Sequence, residues 1–223
     1  MIIAIDGPAG SGKSSTAKAV ATRLEALYID TGAMYRAVAV YSLRNNLSPE
    51  DAAFSGMLEN IEVDLRSSDT GIVVMLNGED VSEEIRSSAA SNMSSRVSKR
   101  ADVRKHLVFL QRKMASEASS RGVSVVMEGR DIGTVVFPNA EFKFFLTANS
   151  SVRAERRAKE MRLKGLKVDS GELLKEIEER DDRDASRDIS PLRIAEDAIE
   201  LDTSDLSFEN QVENILERIR GND

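Results

Sequence analysis

The sequence predicts an α/β fold: a parallel sheet flanked by helices, carrying a small antiparallel β insert and a mobile helical lid. Short apolar, β-prone runs at Met1–Ile5, Leu27–Ile29, Val123–Met127, Phe142–Leu146 and Ala198–Leu201 are separated by helical patterns over Lys13–Glu25, Gly32–Asn45, Ala101–Ala118 and Val152–Leu163. Strands alternating with helices read as a parallel sheet covered on both faces. The runs do not alternate polar with apolar residues, so both faces of the sheet are expected to be buried. A glycine-rich turn follows the first run at once, and such sheets bind ligands at the C-terminal ends of their strands.

In chain order, Met1–Ile5 gives the first strand, the turn leads into the helix from Lys13, and Leu27–Ile29 gives a second strand before the Gly32–Asn45 helix. Ser48-Pro49-Glu50-Asp51 reads as a helix start, with Ser48 as cap, Pro49 in the first turn and acidic residues facing the helix dipole. Ile61–Leu65, Ile72–Leu76 and Glu79–Val81 break the rhythm: they are short β runs with an Asn77-Gly78 turn, which indicates an antiparallel insert. Late in the chain Gly165 and Ser170-Gly171 bracket a break between two highly charged helical stretches, which suits a mobile flap. The expected organisation is one unit with a core of residues 1–60, 92–150 and 188–223, an insert of 61–91 and a lid of 151–187.

The chain has 223 residues, 41% of them hydrophobic, and a formal net charge of −7. That length fits one large domain or a domain with an insert. The negative charge argues against coating nucleic acid or an anionic membrane through bulk charge, so any polyanion must meet a local basic cluster. Cysteine is absent and there is 1 histidine. Disulfides, thiol nucleophiles and cysteine or multi-histidine zinc sites are therefore excluded. A Ser-His-Asp triad would have to recruit His106, which lies on a helical stretch and is expected at a surface or satisfied position. No window has the roughly 18 apolar residues of a membrane helix, and the start lacks a signal peptide's basic flank. A cytoplasmic protein is expected, with carboxylates, cations and backbone amides as its chemistry.

Gly7-Pro8-Ala9-Gly10-Ser11-Gly12-Lys13-Ser14 satisfies GxxxxGK[ST] between a predicted strand and a predicted helix. Glycines let backbone N–H groups converge on phosphate oxygens, and the following helix aims its positive end at the same place. This loop, extended to Ser15, is expected to hold the phosphates of a nucleoside triphosphate, with Lys13 on the β and γ groups and the Ser14 hydroxyl ligating Mg²⁺. The NKxD and DxxG strings of a GTPase switch do not occur.

Four further clusters require a reading. Arg180, Asp184 and Arg187 fall on one face if the segment is helical, and two guanidiniums beside a carboxylate suit a sugar phosphate; the alternative is a solvated salt-bridge ladder. Arg153, Arg156 and Arg157 could stabilise a transferred phosphoryl group from a closing flap, or could line an exposed helix. Glu128, Arg130 and Asp131 end a buried strand where ligands bind, the alternative for Arg130 and Asp131 being a structural ion pair. Asp30-Thr31-Gly32-Ala33-Met34-Tyr35-Arg36 ends the second strand and opens a helix where Arg36 could meet an anion, or is an ordinary capped helix start.

Asp6-Gly7-Pro8, Asp30 to Arg36, Gly129-Arg130-Asp131-Ile132-Gly133-Thr134-Val135-Val136-Phe137-Pro138 and Glu179 to Asp184, in that order, resemble the bacterial cytidylate kinases of the nucleoside monophosphate kinase family across almost the whole chain. The resemblance implies ATP-dependent phosphorylation of CMP and dCMP, with the insert on the monophosphate side and the lid over the phosphates. It implies phosphate contacts from Arg36 and Arg130 with Thr31 and Arg187, base contacts from Ser95, Arg104 and Asp131, and sugar contacts from Arg180 and Asp184. The expected catalytic set is Lys13, Arg130, Arg153, Arg156 and Arg157. Two departures stand out: Glu128 replaces the family's usual aspartate, and Ser14 replaces a glycine found in some members. The competing expectations are another small-molecule kinase, acting on UMP or a different acceptor, and a nucleotide-binding module without acceptor chemistry. A monomer that binds neither nucleic acid nor membrane is expected.

Overall fold

The computed structural model describes residues 1–68, 71–163, 165 and 168–221. Lys164, Leu166 and Lys167 of the expected lid and Asp69 and Thr70 of the expected insert lie outside the described residues. The chain divides into two compact units, one of Met1–Tyr28 with Ala118–Asp223 and one of Ile29–Glu117.

The five-stranded sheet, in the order β2-β6-β1-β7-β8, belongs to the first unit except for Ile29 and Asp30 at the end of β2, which are counted with the second. Its strands are β1 (Ile2–Asp6), β2 (Leu27–Asp30), β6 (Val125–Gly129), β7 (Phe142–Thr147) and β8 (Ile199–Asp202). β1 runs parallel to both β6 and β7, pairing Ile5 with Glu128 and Asp6 with Gly129. The five strands lie where the apolar runs placed them, each ending one or two residues later than expected. Helices α1 (Lys13–Arg23) and α8 (Phe208–Arg220) pack on this sheet. Ala17, Val20 and Ala21 of α1 meet Val212, Ile215, Leu216 and Ile219 of α8 over Ile3, Ile5, Val126, Phe144 and Leu146. The α8 residues recur at the three- and four-residue spacing that lines one helix face.

Helices α6 (Ser150–Leu163) and α7 (Ser170–Ala185) form a pair with its own small core of Ala154, Ala158, Leu173 and Ile177. Gly165 between them has φ +78°, so the expected break is a left-handed turn that suits glycine. Asp169 caps α7 by accepting N–H bonds from Gly171 and Glu172 at 2.7 and 3.1 Å. α7 ends at Ala185, so Arg187 lies beyond the helix and the expected continuous face stops short of it.

The second unit contains α2 (Thr31–Arg44), α3 (Phe54–Met57), α4 (Ser88–Val97), most of α5 (Ala101–Ser120) and an antiparallel sheet of β3 (Val63–Ser68), β4 (Gly71–Leu76) and β5 (Glu79–Asp80). Asn77 and Gly78 connect β4 to β5 with φ +50° and +81°, the two positive angles of a type I′ turn. Arg44, closing α2, bridges Glu79 at 2.8 Å and also pairs with Glu84.

One expected helix start is corrected. Ser48-Pro49-Glu50-Asp51 is a turn, and the helix begins at Phe54 and runs four residues. The Ser48 hydroxyl is engaged by Glu50 and Arg96 instead of a helix N–H, while Asp51 accepts the Ser48 N–H at 2.6 Å. The side chains therefore close a local polar turn that competes with helix.

Candidate active site

The glycine-rich loop joins β1 to α1 in the geometry the motif requires. Gly7 has φ +152°, and a Cβ there would stand 2.1 Å from the Leu146 carbonyl oxygen, so no other residue lets the loop lie this close to β7. Gly12 opens α1 at φ +87° without a side-chain cap, which leaves the first N–H groups of the helix directed at the loop. Lys13 is buried; its Nζ donates to the Pro8 carbonyl at 3.2 Å and lies 3.9 Å from Glu128 Oε2. Exposed Ser14 donates its hydroxyl to Glu128 Oε1 at 2.6 Å, and Ser15 donates to the Gly12 carbonyl at 2.9 Å. Ser11 has a buried hydroxyl oxygen with no hydrogen-bond partner.

The Ser14 hydroxyl and the buried Glu128 carboxylate place two hard oxygens face to face, a donor set that fits Mg²⁺. The longer side chain at position 128 spans the distance to Ser14 directly. No cluster of three or more potential ligating Asp, Glu, His or Cys residues occurs among the described residues. A cation here would draw its other ligands from phosphate oxygens and water, as Mg²⁺ does in such sites.

The lid arginines separate. Arg153 is 5% exposed and donates to the Ala148 and Ala9 carbonyls at 2.9 and 3.1 Å while pairing with Asp181 of α7 at 2.6 Å. It holds α6, α7 and the loop together. Arg156 donates to Thr203 Oγ1 at 3.0 Å; this fully buried hydroxyl also lies 3.0 Å from the carbonyls of Ser11 and Thr147. The exposed-helix reading fits only Arg157, whose guanidinium is 3.3 Å from Glu160.

The end of β6 and the end of α7 meet within the same unit. Arg130 donates through Nε to Asp184 Oδ2 at 2.9 Å, and Arg187 pairs with the other Asp184 oxygen. The Asp184 side chain is 2% exposed, so a solvated ladder is excluded and the structural ion pair joins Arg130 to Asp184 rather than to Asp131. Burial would raise the Asp184 carboxyl, but the charges of Arg130 and Arg187, with Arg180 behind them, outweigh it and hold it below the usual range. Asp131 is buried at the start of a π-helical turn, Ile132–Val136, which the sequence pattern did not show.

In the second unit, Arg36 pairs with Asp30 at 3.1 Å while the other Asp30 oxygen caps α2 on the Ala33 N–H at 2.8 Å. A Cβ on Gly32 would lie 3.1 Å from Asp30 Oδ1 and 3.2 Å from Arg36 Nη1, so the glycine admits the guanidinium over the helix start. Thr31 is buried as the first residue of that helix. Arg104, also buried, stands over the Tyr35 ring at 5.6 Å and donates to the Ser98 carbonyl at 3.3 Å, and Ser98 donates to the carbonyl of buried Ser95 at 3.0 Å. Arg104, Ser95 and Tyr35 therefore belong to one patch. Single His106 is half-buried on α5 rather than at the surface, and its Nε2 has no partner.

Several residues around these groups were not anticipated. Asp6 accepts the N–H groups of Ile132 and Gly133 at 2.9 and 2.8 Å. Burial pushes its carboxyl up to about 7, against the lowering effect of those two bonds. Lys143, buried, is gripped by Asp197 at 2.7 and 2.8 Å, and Gln211 on α8 accepts from Thr16 at 3.1 Å. A charged residue ending an apolar strand was a usable signal for Asp6; Thr203 and Gln211 lack one, because the residues they meet at the loop and α1, Ser11 and Thr16, are 192 and 195 positions away.

A family model described as cytidylate kinase matches residues 3–221. A curated cytidylate kinase of Caldanaerobacter subterraneus subsp. tengcongensis is 52% identical over 223 residues, covering 99% of this chain and 95% of its own. That of Carboxydothermus hydrogenoformans is 48% identical over 225 residues, covering 100% and 99%. Among solved structures, an uncharacterized protein from Eubacterium ventriosum shares the fold with a TM-score of 0.52 at 16% identity, over 99% of this chain and 98% of that one.

Proposed function

This chain belongs to the cytidylate kinase family, and on that premise we propose that it transfers the γ-phosphoryl of ATP to the phosphate of CMP, and of dCMP, releasing ADP with CDP or dCDP. The observation that carries the reading is the buried network at Asp184, where Arg130 and Arg187 share one carboxylate at the end of β6, two residues after Glu128, which touches Ser14. Cations held in this way are pre-positioned for an anion that binds beside the triphosphate loop.

A phosphate oxygen of CMP attacks the γ-phosphorus as the bond to the bridging oxygen of ADP breaks. The nucleophile is already an anion, so no general base is required and one histidine suffices. What remains for the protein is alignment and neutralisation of charge. Lys13 and the N–H groups from Gly7 to Ser15 serve the donor phosphates, and Arg36 and Arg130, with Thr31 and Arg187, serve the acceptor phosphate. Ser14 and Glu128 would hold Mg²⁺, which would supply further neutralisation of phosphate charge when bound. Arg153, Arg156 and Arg157 serve the transferred group, and the 151–187 segment excludes water that would otherwise consume ATP.

Asp131, with Ser95 and Arg104, gives the base preference. A carboxylate accepts from the cytosine amino group, whereas uracil presents a carbonyl there and leaves two acceptors opposed. Arg180 and Asp184 serve the sugar hydroxyls. The same reading includes a cytoplasmic monomer, for which sedimentation equilibrium at the chain mass of 24.5 kDa is the check. A coupled ADP-release assay across CMP, dCMP, UMP and AMP tests the function. Fast turnover of CMP and dCMP is expected, and comparable turnover of AMP with little on CMP overturns the assignment.

A further inference from the structure

Thr203 follows β8 directly and is fully buried. Its hydroxyl accepts from Arg156 Nη1 at 3.0 Å and stands 3.0 Å from each of two carbonyls, those of Ser11 in the glycine-rich loop and Thr147 at the end of β7. The two carbonyls do not depend on it equally. Thr147 also takes the Thr203 N–H at 2.8 Å, so loss of the hydroxyl falls on Ser11. The charged donor on the hydroxyl oxygen polarises the O–H and strengthens the bond that it gives.

The direction of that carbonyl decides where an amide points. In a planar trans peptide the C=O and the following N–H face opposite ways, so holding the Ser11 carbonyl on Thr203 turns the Gly12 N–H away from Thr203. Ala9 shows the same arrangement: its carbonyl accepts from Arg153 Nη1 at 3.1 Å, and the following residue is Gly10. Gly10 and Gly12 have φ +77° and +87°. Glycine visits both signs of φ at little cost, so the residues that let amides converge on phosphate also let the peptide planes between them rotate. A loop of this composition needs its planes fixed from outside. Gly12 is confined as well, since a Cβ there would lie 2.9 Å from Gln211 Oε1.

We propose that Thr203 is a positioning residue for the phosphate donor: its hydroxyl, held by Arg156, fixes the Ser11–Gly12 peptide plane so that the Gly12 N–H faces the triphosphate. The inference rests on the reading of Gly7 to Ser15 as the loop for the donor phosphates. Without the hydroxyl, the carbonyl of fully buried Ser11 loses its donor, the plane rotates, and the amide is lost to the ligand.

The test is Thr203→Val, which keeps the branched shape and removes the hydroxyl, with Thr203→Ser as the variant that restores it. Calorimetry of the full chain with ATP and Mg²⁺ should show the Kd raised on the order of tenfold in Thr203→Val, the value of about one buried bond, and within about twofold of wild type in Thr203→Ser. Tripolyphosphate with Mg²⁺, which carries the phosphates without the nucleoside, should weaken by the same factor, while the Kd for CMP stays within about twofold. An unchanged Kd for ATP, a loss for ATP that tripolyphosphate does not share, or an equal loss for CMP overturns the proposal. So does a loss that vanishes in an Arg156→Ala background, since the hydroxyl would then act through the guanidinium and not through the loop. If wild type binds neither ATP nor tripolyphosphate, the phosphate loop itself is wrong; if it binds both and Thr203→Val binds them equally well, only the positioning role falls. Thr203→Ala serves as a second variant, and loss of folding in both by circular dichroism assigns the hydroxyl to stability alone and overturns the positioning role.

Discussion

Lys13 and Asp184 show how single side chains acquire function through their neighbours. Lys13 is a buried ammonium lodged between a loop carbonyl and Glu128, a cation held in place before any phosphate arrives. Lys13→Ala should lower kcat by roughly 10²–10³, the cost of removing one pre-organised donor to developing charge, while calorimetric binding of CMP is retained; retained turnover would remove it from the phosphate role. Asp184→Ala leaves Arg130 and Arg187 without their shared carboxylate, and breaking a buried pair costs about 3–5 kcal/mol, readable as a lower urea midpoint. It should also raise the KM for CMP more than that for ATP; equal effects would reduce the cluster to structure. The native Asp184 carboxyl lies below the ordinary range, so its contribution to stability is complete above about pH 4 and is lost as pH falls through the native value. The urea midpoints of wild type and Asp184→Asn should therefore converge toward acid. Asp6 has the opposite sign. Burial raises it to about 7, so the native state keeps a proton that the unfolded chain releases near pH 4, and the advantage of wild type over Asp6→Asn should shrink between pH 5 and pH 8.

At the scale of elements, helices α6 and α7 depend on few apolar residues. Ala154, Ala158, Leu173 and Ile177, with partly buried Met161, Val168 and Leu174 against them, form their joint core, and the ion pair of Arg153 and Asp181 ties the two helices together beside it. Arg153→Ala should therefore lower thermal stability measurably, since it removes that pair together with bonds to two carbonyls. Arg157→Ala should leave the melting temperature almost unchanged, because an exposed pair contributes about 0–1 kcal/mol, yet it should lower kcat if its side chain serves the transferred phosphoryl. Measuring both quantities on both variants separates a strut from a catalytic group. The Ser48–Asp51 turn illustrates a limit of local signals: Pro49 and two acids have the composition of a helix start, but the carboxylates closed a turn on Ser48 instead.

For the molecule as a whole, the net charge of −7 coexists with a candidate site for polyanions because its cations are held beside carboxylates and carbonyls, as Arg130 and Arg187 are at Asp184 and Lys13 at the Pro8 carbonyl, rather than in a basic face. The parallel sheet, the helices around it, the antiparallel insert and the phosphate loop were all legible in the residues, since apolar periodicity, glycine placement and a contiguous motif act over short stretches of chain. The lists of arginines and acids were legible too, but not their partners. That Arg130 pairs with Asp184 rather than Asp131, that Arg153 is buried while Arg157 is exposed, that Glu128 meets Ser14, and that Asp6 caps a turn 126 residues away, were decided only by tertiary structure. The physical reason is range: secondary structure and loop conformation follow from the residue and its near neighbours, whereas the environment of a charge is set by whichever distant strand or helix excludes water from it.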